Sequence, residues 1–106
     1  MNEGDAVFHA LLEARRAGRP VVLATVVDTR GSVPRHPGSR MLVDPEAGLV
    51  GTIGGGCGEA DVIAAAREAL ATGQTRLVRV ELTDSPEEWS PAVCGGVMEV
   101  LVEPVG

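Results

Sequence analysis

Apolar residues at Val7, Leu11 and Ala14, with Phe8 and Leu12 on the same repeat, predict an amphipathic helix over residues 5–17. Asp5 is placed to cap it, Arg15 and Arg16 suit its last turn, and Gly18 followed by Pro20 stops it. Val21 to Val27 is a nearly unbroken apolar run rich in β-branched residues, as expected of a strand buried on both faces. Thr29–Gly38 reads as irregular, because two prolines and two glycines fall within ten residues. Arg40 to Val43 resumes as a strand, residues 44–48 make a turn, and Leu49 to Ile53 returns as the hairpin partner. A second helix over residues 59–72 buries Val62, Ile63, Ala66, Ala69 and Leu70, and Gly73 ends it. From Thr75 to Leu82 the chain alternates, Val78, Val80 and Leu82 against Arg79 and Glu81, which predicts a strand with one exposed face. After a polar, proline-containing loop at 83–92, Met98, Val100 and Val102 alternate with Glu99 and Glu103 in a last strand.

This order predicts a single α/β domain, a mixed β-sheet with two main helices. The passage through residues 59–72 is expected to be a right-handed crossover joining parallel strands. At 106 residues the chain is long enough for its own hydrophobic core. A formal charge of -6 and the absence of lysine argue against nonspecific nucleic-acid binding, and one Phe, one Trp and no Tyr leave no stacking platform. No basic leader and no apolar run of membrane-spanning length is present, so the expected location is cytoplasmic, with no membrane partner. In that compartment the two cysteines are expected as reduced thiols.

Those thiols lie in glycine-rich surroundings. Gly51-Thr-Ile-Gly-Gly-Gly-Cys-Gly-Glu59 ends a strand and opens a helix, a setting in which backbone N–H groups and the helix dipole favour a phosphate or other oxyanion. The dinucleotide fingerprint fails, since Glu59 stands where its third glycine belongs, and the lysine of a P-loop is missing. Cys57 sits where that dipole lowers a thiol's pKa, and Cys94 precedes Gly95-Gly96. Both are soft donors, suited to softer metals or to sulfur chemistry, and each equally suits a small buried apolar position. The loop carrying Arg30, Ser32, Arg35 and His36 follows a central strand, where arginines can clamp a phosphate or simply be solvated.

Taken together, Ala24-Thr-Val-Val-Asp-Thr-Arg-Gly-Ser-Val-Pro-Arg35, Gly38-Ser-Arg-Met-Leu-Val43, Gly51–Glu59, Cys94-Gly-Gly96 and Val100-Leu-Val-Glu-Pro104 resemble the XdhC/CoxI family in order and spacing across roughly residues 8–105. The resemblance implies an accessory protein for molybdenum hydroxylases such as xanthine or carbon monoxide dehydrogenase. Such a protein binds the molybdenum cofactor transiently, as molybdopterin or its dinucleotide form, supports its sulfuration by a cysteine desulfurase, and inserts it into the apo-hydroxylase. By position, Arg30, Ser32, Arg35, Gly54, Gly55, Gly56, Cys57, Gly58, Glu59, Cys94, Gly95 and Gly96 are the cofactor-binding candidates, with Cys57 and Cys94 nearest the metal. No catalytic residue is assigned, and a chaperone is expected rather than an enzyme. The rival is a small thiol-dependent sulfur-transfer or redox enzyme using Cys57 or Cys94, with His36 as the available base. A third reading is an interaction module that engages a partner through its acidic face and residues 83–92. Two departures stand out: Gly58 stands where many relatives have a leucine-like residue, and the family's C-terminal Rossmann-like domain does not follow residues 1–106, so the expectation is either that a separate subunit supplies it or that this is a reduced member with a narrower role. A homodimer through an exposed edge strand, such as the last one, is a further expectation.

Overall fold

Seven elements follow one another: α1 (Glu3–Arg16), β1 (Val21–Arg30), β2 (Arg40–Asp44), β3 (Gly48–Gly51), α2 (Glu59–Thr72), β4 (Arg76–Glu81) and β5 (Val97–Val105). They come from a computed structural model that describes residues 3–31, 36–51, 59–81 and 96–106. The helix α1 begins before Asp5, which therefore lies inside its first turn rather than at its cap. It ends in a Schellman-type reversal: Gly18 takes φ 72°, while Arg19 N–H bonds Ala14 O at 2.9 Å and Gly18 N–H bonds Arg15 O at 3.1 Å. Gly73 ends α2 with the same positive φ of 72°, its N–H bonding Ala69 O at 2.7 Å.

The five strands form one sheet in the order β3-β2-β1-β5-β4. The single α/β domain with two helices stands as expected, but the pairing is antiparallel at every step rather than mixed. The crossover through α2 does join co-directional strands, because β3, β1 and β4 all run one way. They are not neighbours, however: β3 and β4 are the two edges, and α2 spans the sheet between them. The last strand is likewise interior, paired with β1 on one side and β4 on the other, so it offers no edge for a second copy.

Alternation along the strands builds two cores. Val22, Ala24 and Val26 of β1 join Met41, Val43, Val80, Met98, Val100 and Val102 beneath Val62, Ala66 and Ala69 of α2. On the opposite face Val21 and Leu42 pack with Val7 and Ala14 of α1. Phe8 and Leu12 fall outside the buried stripe of α1, at 43% and 55% exposure. The small residues Ala66 and Ala69 let α2 sit close against the sheet, and the resulting three layers bury each side of β1.

Strand β1 runs on to Arg30, two residues into the segment read as irregular, and an extra residue near Val27 makes this possible. The register passes from Val26↔Val100 to Asp28↔Glu99, so Val27 is unpaired in that ladder. An unbroken alternation would turn Asp28 and Arg30 toward α2. The bulge turns them to the other face, where both are exposed.

The hairpin β2–β3 is tied to the end of α1 by a buried carboxylate. Asp44 Oδ2 accepts from Arg19 Nη2 at 3.0 Å and Nε at 3.3 Å, and Oδ1 accepts from the N–H groups of Glu46 at 2.9 Å and Ala47 at 3.1 Å. Arg19 chiefly holds the Asp44 carboxyl below the usual carboxylate range; burial opposes this, and the two backbone bonds add to it.

Candidate functional site

Because β1, β3 and β4 run the same way, their last residues Arg30, Gly51 and Glu81 all lie toward one end of the sheet. The segments carrying the sequence motifs leave from that end. Arg30 and Glu81 flank Val97 in one row across three strands, and Gly96, which is buried, precedes it. Gly51 pairs with Met41, and the chain re-enters at Glu59, the half-buried first residue of α2, with Asp61 beside it in the first turn. The end is stepped: Thr25 pairs with both Arg40 and Leu101, whereas Arg30 pairs with Val97. Four residues of β5 thus separate the two levels, about 13 Å along the strand.

Of the predicted site residues, Arg30, Glu59 and Gly96 are therefore placed at one end of the fold. Ser32, Arg35, Gly54, Gly55, Gly56, Cys57, Gly58, Cys94 and Gly95 lie outside the described residues, and so does the whole of the expected loop at 83–92. His36, the rival reading's base, is exposed. Among the described residues, no three His, Cys, Asp or Glu side chains group as a metal site, and no helix is long and apolar enough to cross a membrane.

The structure adds polar residues here that alternation alone assigns to a solvated face. Asp28, Thr29, Arg30, Arg79, Val97 and Glu99 line a recess with about 10 Å³ of room, enough for one water and too small for an organic ligand. Arg79 Nε lies 3.6 Å from Glu81 Oε1, both side chains being mostly exposed. Asp28 and Arg79 stand opposite Glu99 from its two sides, so this face carries mixed charge rather than a basic patch. What sequence reading lacked was the strand order that brings Asp28 and Arg79 to the same β5 residue.

Residues 14–81 match the family described as XdhC and CoxI. Two Escherichia coli (strain K12) proteins are similar. The uncharacterized protein YqeB is 38% identical over 96 residues, covering 91% of this chain and 18% of that protein. The molybdenum cofactor insertion chaperone PaoD is 35% identical over 73 residues, covering 69% of this chain and 23% of its own length. The chain thus spans about a fifth of these relatives. A crystal structure described as a xanthine dehydrogenase from Bacillus halodurans superposes with a TM-score of 0.78 at 29% identity, over all of this chain and 31% of that one.

Proposed function

This chain belongs to the XdhC and CoxI family, and from that premise we propose that it is a cytoplasmic accessory protein that carries the molybdenum cofactor to a molybdenum hydroxylase. The observation that supports this most is that Arg30, Gly51, Glu59 and Gly96, the described residues flanking three motif-bearing segments, lie toward one end of one sheet, in a chain similar to a molybdenum cofactor insertion chaperone. Arg30, with Ser32 and Arg35 in the segment that follows, supplies donors for the cofactor's phosphate. Gly54, Gly55, Gly56 and Gly58, before the N-terminus of α2, supply backbone N–H groups to the same end. Glu59 shapes the start of that helix. Cys57 and Cys94, the latter followed by Gly95 and Gly96, supply soft sulfur donors toward the metal.

The cargo, as molybdopterin or its dinucleotide form, supplies the dithiolene-bound molybdenum that the recipient enzyme uses. This chain's residues hold it transiently, shield it while a cysteine desulfurase provides sulfur, and release it on docking to the apo-hydroxylase. The stepped end suits an extended ligand, with anionic and metal ends held at different levels.

Molybdenum and pterin content after anaerobic purification from a cofactor-producing host tests this directly. The parent is expected to carry near-stoichiometric cofactor, and Cys57→Ala/Cys94→Ala little, with an unchanged unfolding midpoint. Equal content in both would remove the thiols from the proposal, and an empty parent would remove the carrier role from this chain alone.

A further inference from the structure

We propose that Arg40, which lies in the Gly38–Val43 motif but outside the cofactor-binding candidates named above, is a phosphate-binding residue. Four arginines among the described residues have a carboxylate partner: Arg16 with Glu13, Arg19 with Asp44 and Glu46, Arg76 with Glu68, and Arg79 with Glu81. Arg40 has none within ion-pair distance among the described residues, although it is half-buried. Its Nε is fully buried without a hydrogen-bond partner. Arg76 shares an unpartnered Nε, but its Nη2 meets Glu68 Oε1 at 2.7 Å, so its charge is compensated.

An unpaired N–H on a partly desolvated cation is costly and calls for an acceptor. The guanidinium is held flat for one. Its central carbon stands 5.1 Å from the centre of the Phe8 ring, a cation–π arrangement that orients the fork without using any of its donors. Across the ladder Arg40 faces Thr25, which is 8% exposed, so the stem is anchored in the sheet.

Its place in the fold selects the acceptor. Arg40 is the first residue of β2 and adjoins Met41, which pairs with Gly51, the last described residue before the glycine-rich segment. The Met41–Gly51 row faces α2, whereas the adjoining Arg40 faces α1 with Phe8, so its fork serves an anion on the α1 side of this end, where its paired donors suit the doubly acceptor edge of a phosphate. The assignment rests on the carrier reading for the identity of the ligand, but not for the anion site itself.

The test is a titration of the whole chain with pyrophosphate, followed by the ¹⁵Nε–¹H signal of Arg40, with acetate as a parallel arm. The signal is expected to move saturably with pyrophosphate and far less with acetate. Arg40→Gln should weaken binding at least tenfold, and Arg40→Lys by less. Phe8→Leu should weaken it severalfold through loss of orientation. An unmoved signal in the parent overturns the proposal even where a variant fails to fold. Equal saturation by acetate overturns it too, pointing to a partner's carboxylate, as does unchanged affinity in a folded Arg40→Gln. Cofactor content reads the carrier role separately. A chain that binds pyrophosphate through Arg40 yet holds no pterin keeps this site and loses the carrier reading; the opposite pattern keeps the carrier and loses Arg40.

Discussion

Asp44 stabilises the fold only while it is charged, and the sign of its pH dependence follows from its partners. Its folded pKa lies below the ordinary 3.8, so the unfolded chain takes up the proton first as acid is added. The contribution is present in full above that ordinary value and is lost as pH falls through the lower folded one. Asp44→Asn should therefore cost about 1–3 kcal/mol near neutrality and flatten the acid limb of the stability profile, as urea unfolding from about pH 7 to about pH 3 would measure. An acid limb as steep in the Asp44→Asn variant as in the parent would assign the acid sensitivity to other carboxylates. The sequence displays Asp44 only as the opener of a proline turn, since its partner Arg19 lies 25 positions away and becomes a neighbour through the reversal at Gly18. Arg40 was hidden for a similar reason: a cation at a strand's start looks solvated until Phe8 is folded against it.

Strands and helices were largely legible because burial follows alternation and helical spacing closely. Val62, Ala66 and Ala69 are buried as the pattern predicts, with Ile63 and Leu70 partly so. The end of β1 was not legible, because a bulge spends one residue without leaving a mark in composition. Deletions can measure that spare residue. Removing Val27 leaves Asp28, Thr29 and Arg30 opposite Glu99, Met98 and Val97, and should be tolerated within about 1–2 kcal/mol. Removing Leu101 from β5, which carries no spare residue, reverses the facing of Met98 and Val100 and should abolish folding. Circular dichroism melts of the two deletions decide it, and similar melting for both would mean that the register adapts elsewhere. Met98, fully buried under α2, should cost about 2–5 kcal/mol as Met98→Ala.

At the scale of the molecule, strand order escaped the sequence because alternation tells which face a residue takes, never which strand lies beside it. A strand–helix–strand passage suggests parallel neighbours, yet β2, β1 and β5 fill the space between β3 and β4. That order brings Arg30, Gly51 and Glu81, the described residues from which the motif segments depart, to one end of the sheet, which was not readable in one dimension. The same order predicts a gradient of protection. Amides of β1 and β5, paired on both sides, should exchange slowest, and those of the edges β3 and β4 fastest. Hydrogen exchange resolved by strand would reveal it, and equal protection of β4 and β5 would mean that the β4 edge is covered in solution. The other terminus of the sheet carries a practical consequence. Gly106 lies against Pro20, and Val105 pairs with Val21, at the end opposite Arg30. The nine residues of β5 place a fluorophore joined to Gly106 about 30 Å from Val97. Such a label would leave ligand entry unhindered, and a tail attached there would need about nine extended residues to reach back to the glycine-rich end.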